Sequence, residues 1–198
     1  KHLVFILTQF GIINMLTIEA LQSVCKTQAG KERSVYFAAF LAEVMPLWSI
    51  DTPQRQAMFI AQVLHESAEF RYLAELGGDK YTSKYDTGRL AKMLGNTPEA
   101  DGDGQLYKGR GLIQIRGLYN YKRCGEALQL DLVKRPQLLE EPRHAVTSAC
   151  WFWADKKLNR FADTNQITAC TKVINGGYNG IEDRKQYWER LKLAFSIA

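Results

Sequence analysis

The stretch FIAQVLHESAEFRYLAE, residues 59–75, decides how the chain folds and where its chemistry lies. Ala57, Ile60, Ala61, Val63 and Leu64 recur at helical spacing, which predicts a buried amphipathic helix running to about Phe70. Glu66 follows the most apolar part of that run, where an ionised side chain is costly unless it is paired or used. Glu75 comes nine residues later. A continuous helix would carry it about 13 Å along the axis, but Gly77-Gly78 predicts that the helix ends and the chain turns back. Two carboxyls roughly 6.5–9.5 Å apart are what an inverting glycosidase needs, one as acid and one as base with a water between them. On its own the segment is equally compatible with a helix end bearing ordinary surface glutamates.

The rest of the chain sets bounds. At 198 residues it is long enough for one well-buried core, and 46% hydrophobic and 24% charged content is that of a soluble globular protein. No repeat, low-complexity tract or Pro/Ser-rich linker divides it, so no separate wall-binding module is expected within it. Charge is uneven: residues 1–104 carry ten Lys/Arg against twelve Asp/Glu, and residues 105–198 carry sixteen against nine. A basic half suits an anionic polymer or a solvated face. No nucleic-acid motif is present, and no nucleic-acid partner is expected.

Cys25, Cys124, Cys150 and Cys170 have no CxxC spacing, and there are three histidines in all, so neither a metal site nor any cofactor is expected. His65-Glu66 begins like HExxH, but position 69 is Glu, and the zinc-protease reading fails. The cysteines read as free, buried thiols, with a bridge formed after export as the alternative. Residues 3–16, LVFILTQFGIINML, are too short to span a membrane. Residues 1–15 are taken as an N-terminal extension, either a helix packed on the domain or a signal-like segment without a small-residue cleavage site.

Helices are the only strong periodic signal, expected at about 17–28, 32–47, 53–70, 86–94, 117–128, 142–156, 164–174 and 181–196. Thr52-Pro53 and Glu141-Pro142 place proline in a first turn, and Asp163 or Thr164 can cap a helix. At most one short hairpin is expected, in 78–85 or 104–115. The Gly-, Asp- and Thr-rich stretch of about 77–108 reads as a smaller lobe facing the core helices. Asp101-Gly-Asp-Gly104 reads as a turn, because the later acidic ligands of a calcium loop are missing. Trp151 and Trp153 read as core. Tyr107, Tyr119 and Tyr121 are better placed to line a sugar site, since tyrosine offers a flat apolar face and a hydroxyl.

Residues 107–121, YKGRGLIQIRGLYNY, resemble the YRGRGxIQxTGxxNY signature of glycoside hydrolase family 19, which includes chitinases and phage endolysins. His65-Glu66-Ser67 matches the family's HES or HET around its catalytic acid, and Asn175-Gly-Gly177 with Arg184 matches its C-terminal site motif. The resemblance runs from about Leu16 to Ala198 and is to the phage and prophage endolysins in particular. The disulfide pattern of plant chitinases is missing. It implies a mainly α, lysozyme-like fold: a helical core lobe, with the smaller lobe as one wall of a cleft, in a single catalytic domain over 16–198.

The resemblance also implies roles. Glu66 would be the general acid, its apolar setting favouring the protonated form, and Glu75, in a more polar turn, the base that activates water. Gln114 and Asn120 would bind N-acetyl and hydroxyl groups, and Asn175 and Arg184 would orient the carboxylates and the substrate. Arg110 is expected to be a structural ion-pair partner. Two positions depart from the family. Asn179 replaces a glutamate of the plant enzymes, and Arg116 replaces the Ser or Thr that holds the attacking water. A guanidinium only donates, so Arg116 is expected to leave the water to Glu75 and pair with a carboxylate of the enzyme or of the peptidoglycan peptide stem.

The function expected is that of a monomeric endolysin that cleaves peptidoglycan glycan strands between N-acetylmuramic acid and N-acetylglucosamine. It would be made in the host cytoplasm, have no stable membrane span and act in the periplasm or cell wall. A chitinase and a glycan-binding domain that has lost catalysis are the alternatives.

Overall fold

The computed structural model describes residues 16–197, so the expectations for residues 1–15 lie outside the described residues. Eleven α-helices follow one another there: α1 (Ile18–Val24), α2 (Gln28–Leu47), α3 (Pro53–Glu66), α4 (Gly78–Thr82), α5 (Gly88–Leu94), α6 (Asp103–Leu106), α7 (Leu118–Leu128), α8 (Pro142–Asp155), α9 (Asn159–Ala162), α10 (Ile167–Asn175) and α11 (Ile181–Ala194). The lysozyme-like, mainly α class expected from the sequence is the class observed.

Helix α3 is the axis of the molecule, with every residue from Gln56 to Leu64 buried. It packs on α11 and α9, while α2 packs on α1 and α8. Phe59 meets the edge of Trp153 at 5.3 Å between ring centroids, and Trp151 and Trp153 are core residues. Thr52 caps α3 through its side chain, which accepts from the Arg55 N–H, and Pro53 occupies the first turn, as the sequence predicts. The start of α10 differs from expectation: its cap is Gln166, and Asp163 instead pairs with Arg55 at 2.7 Å.

Helix α3 stops at Glu66, four residues before the expected end. Ala68, Glu69 and Phe70 take φ of 49°, 59° and 64°, a left-handed run that costs roughly 1–2 kcal/mol per non-glycine residue. Tertiary contacts offset that cost. Phe70 N–H donates to Ser67 Oγ at 2.8 Å, and the Phe70 ring stacks on Phe37 at 4.7 Å. The Glu69 carboxylate accepts from the Lys26 and Thr27 N–H groups, the Thr27 hydroxyl and, at 2.8 Å, the Tyr187 hydroxyl. Ending the helix here sets Glu66 at its terminus and sends the chain toward Glu75.

The short helices α4 and α6, the 3-10 turn at Ser83–Tyr85 and α5 pack on one another, and α5 rests on α7. Residues 78–85 are helical rather than a hairpin. The hairpin-like pairing lies at Arg110–Ile115, whose N–H and C=O groups bond reciprocally at 3.0 and 2.8 Å, with Ala74 bridged to Arg110 on the other side. Asp101 and Asp103 serve their own turn, accepting from Thr97 Oγ1 at 2.6 Å and Thr97 N–H at 2.9 Å.

Candidate active site

Glu66 projects from the last turn of α3. Its Oε1 accepts from Nη2 of Arg184, a side chain wholly inside the core. Arg184 Nη1 donates to Gln62 Oε1 at 2.6 Å, one turn back along α3, and Gln62 Nε2 donates to Thr171 Oγ1 at 3.0 Å. The carboxyl therefore does not sit in the purely apolar setting expected of it: a buried guanidinium engages one of its oxygens. Its Oε2 has no hydrogen-bond partner among the described residues, and the side chain is 20% exposed. Beside it, His65 Nδ1 lies 2.6 Å from Asp183 Oδ2, and Lys26 pairs with the other Asp183 oxygen. Burial works against the charged form of Asp183, but Lys26 and His65 outweigh it and hold its pKa below the usual range. These ties fasten the end of α3 to the start of α11.

Glu75 is built differently. The chain leaves α3, crosses Ala74 and pairs with the loop before α7, where Glu75 N–H donates to Gly109 O at 2.8 Å. The Gly109 N–H donates back to Glu75 Oε2 at 3.0 Å. A Cβ on Gly109 would sit 2.7 Å from Gln114 Oε1 and 3.3 Å from Glu75 Oε2, so glycine is what permits this approach. The Tyr85 hydroxyl donates to Glu75 Oε1 at 2.9 Å. Tyr85 is in turn located by Asn96, which donates to the Tyr85 C=O at 2.9 Å and accepts the first N–H of α7 at 2.8 Å.

Arg116 completes the shell. Its Nε donates to Glu75 Oε2 at 3.0 Å, its Nη2 lies 2.9 Å from Oε1, and its guanidinium is 4.7 Å from the centre of the Tyr85 ring. Arg116 thus pairs with an enzyme carboxylate, and that carboxylate is Glu75 itself. The polar setting expected of Glu75 is present, and it is enclosed: only 9% of the side chain is exposed, with the Tyr85 hydroxyl, the Gly109 N–H and the Arg116 guanidinium around its two oxygens.

The other residues singled out from sequence divide into two groups. Gln114, at a left-handed φ of 56°, lies beside Gly109 and Glu75, and its amide donates to Gly111 O at 3.0 Å. Asn120 donates to the backbone of Arg116 at 2.9 Å, and Tyr119 is 57% exposed. These gather around Glu75 and the start of α7. Tyr107 does not line a site: it is buried, its hydroxyl donates to Val133 O at 3.3 Å, and its ring packs on Tyr121. Tyr121 is buried as well. It accepts from Arg110 and donates to Lys108 O at 2.7 Å, while Arg110 pairs with Glu140 at 2.7 Å. Alternation explains the two tyrosines, because the face of α7 carrying Tyr121 turns inward and leaves Tyr119 outside. Asn175 Nδ2 donates to Asn179 O at 3.1 Å, and among the described residues no hydrogen bond ties it to either carboxylate. Tyr85 and Gln62 were not legible as site residues, although Gln62 stands one helical turn before Glu66 on an apolar face.

Two carboxylates that share no hydrogen-bond partner among the described residues can divide acid and base work between them. Known proteins carry the same arrangement of segments. The family model described as chitinase class I matches residues 36–186. A Haemophilus influenzae glycosyl hydrolase family 19 domain-containing protein is 34% identical over 160 residues, covering 69% of this chain and 78% of its own length. An Arabidopsis thaliana protein named endochitinase is 33% identical over 137 residues, 68% of this chain but 48% of its own, so the chain spans about half of that plant relative. Among solved structures, a bacterial family 19 chitinase superposes with a TM-score of 0.70 at 18% identity over 93% of this chain and 96% of its own. Chitinase C of Streptomyces griseus gives 0.66 at 18% identity over 92% and 93%. The residues matched include both glutamates, the Gln114–Asn120 segment and Arg184, and the chain belongs to glycoside hydrolase family 19.

Proposed function

We propose that this glycoside hydrolase cleaves the β-1,4 bond between N-acetylmuramic acid and N-acetylglucosamine in peptidoglycan, with Glu66 as acid and Glu75 as base. The observation that carries the division of labour is the contrast between the two carboxyls. Glu66 has one oxygen on Arg184 and one free, so a proton on Oε2 can pass to the leaving oxygen. Glu75 faces only donors, the arrangement of a group placed to accept a proton from water. As the glycosidic C–O bond breaks, the Glu66 proton moves to the leaving oxygen. A water attacks the anomeric carbon from the opposite face and gives its proton to Glu75, so one water is consumed and the configuration inverts.

Cations near the base favour peptidoglycan. Arg116 stands where the family pattern has Ser or Thr, and Lys84 Nζ lies 4.8 Å from the centre of the same Tyr85 ring. The basic C-terminal half adds long-range attraction to an anionic wall. In this reading the protein is an endolysin, made in a host cytoplasm and acting on the wall after release. The similarity to plant proteins named endochitinases favours the second reading, a chitinase.

The test is loss of turbidity of outer-membrane-permeabilised bacteria run beside hydrolysis of a chitin oligomer. Lysis at nanomolar enzyme with slow chitin cleavage is expected. Rapid chitin cleavage without lysis would replace the peptidoglycan reading with the chitinase one, and glycan binding without either activity would leave a binding domain.

A further inference from the structure

Both oxygens of Glu75 are crowded by donors, on the side where it must meet a water. A carboxylate offers about four lone-pair sites. Oε1 faces the Tyr85 hydroxyl and Arg116 Nη2 at 2.9 Å each, and Oε2 faces the Gly109 N–H and Arg116 Nε at 3.0 Å each. Opening one of these contacts makes room for the water. The Gly109 N–H that donates to Oε2 belongs to a residue whose C=O is itself held by the Glu75 N–H, and Tyr85 is buried with its backbone held by Asn96. Arg116 is a long side chain, one third exposed, and its Nη1 has no hydrogen-bond partner among the described residues. It is the contact able to let go.

We propose that Arg116 is a latch on Glu75, and that a carboxylate on the substrate glycan draws it away and so frees the base. This rests on the peptidoglycan reading for the source of the carboxylate, which would be the lactyl group of the muramic acid or its peptide. Swinging about the Tyr85 ring, the guanidinium exchanges one carboxylate partner for another and keeps its stacking contact. An uncharged glycan offers no such exchange, so the pair in the resting enzyme disfavours it. Lys84, 3.3 Å from the centre of the Tyr81 ring and close to Tyr85, adds a second cation on that side. Arg116 is in this account a specificity-determining residue, and Glu75 remains the group that meets the water.

The experiment measures kcat and KM of wild type, Arg116→Thr and Arg116→Lys on three soluble substrates. These are a peptide-free muramic acid/N-acetylglucosamine oligomer, the same oligomer with its lactyl carboxylates converted to methylamides, and a chitin oligomer. Wild type should prefer the free acid over the amide at least tenfold in kcat. Arg116→Thr should bring that ratio close to one, chiefly through a roughly tenfold rise in kcat on the two neutral substrates, with an unchanged melting temperature. Arg116→Lys, which keeps the charge but not the two-point contact, should fall between. Equal losses on all three substrates with Arg116→Thr would overturn the latch, as would a wild-type enzyme indifferent to amidation. If wild type cleaves only chitin, the peptidoglycan reading fails. The latch is then judged on chitin alone, where a rise with Arg116→Thr upholds it and a fall overturns it.

Discussion

Arg184 reaches Glu66 from inside the core: the guanidinium is buried, yet its Nη2 donates to the carboxylate at the end of α3. With Nη1 on Gln62 at 2.6 Å, the same side chain spans one turn of α3 and fixes where the carboxylate points. The position of the acid is thus a property of the α3–α11 packing.

Arg184→Lys should damage both stability and activity. An ammonium reaches one partner where the planar guanidinium serves two, and the variant leaves the Glu66 carboxylate or the buried Gln62 amide short of a donor. A loss of about 2–4 kcal/mol is expected, near the scale for breaking a buried ion pair, with activity down at least tenfold. Denaturant titration and initial rates check this. A variant within 1 kcal/mol of wild type and fully active would show that Arg184 does not hold Glu66.

Glu66→Gln keeps the shape and one acceptor oxygen for Arg184 but cannot deliver a proton. Activity should fall about 10²–10⁴-fold. Because a buried guanidinium loses its counter-charge, stability should also drop, by about 1–2 kcal/mol, with the far-ultraviolet spectrum unchanged. Retention of more than a tenth of wild-type activity would exclude Glu66 as the acid.

Glu69 predicts a pH dependence of stability. Burial works against its charge, but the hydrogen bonds from Thr27, Lys26 and Tyr187 outweigh it and hold its pKa below the ordinary glutamate value. A depressed folded pKa means that the stabilisation is fully present above the unfolded pKa of about 4.3 and is lost as pH falls through the lower folded value. Glu69→Gln should therefore lower the melting temperature at pH 7, by about 5–10 °C for a cost of about 2–3 kcal/mol. The difference from wild type should shrink steadily below pH 4.5. A pH-independent difference would contradict this account.

Much of the fold was legible because α2, α3, α7, α8 and α11 are long enough to show a period, and Thr52-Pro53 marks a start by local chemistry alone. Residues 68–70 were not, since three non-glycine residues turn left-handed only under contacts from Thr27, Phe37 and Tyr187, distant in sequence. The short helices α4, α6 and α9 span too few residues to show a period. At the site, motif spacing located Glu66, Glu75, Gln114 and Asn120, but not where their side chains bond. That Arg116 would close on Glu75 depends on the Gly109 N–H holding the Glu75 carboxylate and on the Tyr85 ring, which no local pattern announces.

The four cysteines should take no part in the chemistry. All are buried and unbridged, and burial pushes the Cys25, Cys124 and Cys170 thiols up to about 12 and raises Cys150 too. A disulfide reagent at pH 8 should label none within minutes in the folded protein and all four in denaturant. Rapid labelling of the native enzyme with loss of activity would contradict the packing described.

The anomer first released tests the two-carboxylate mechanism most directly. Proton NMR of the fresh reducing end, followed from the first seconds of hydrolysis of the β-linked substrate, should show the α form ahead of its equilibration. That is the outcome of a water activated by Glu75 attacking opposite the bond that Glu66 protonates. Initial release of the β form would require a covalent or substrate-assisted intermediate and would contradict the roles assigned to both glutamates.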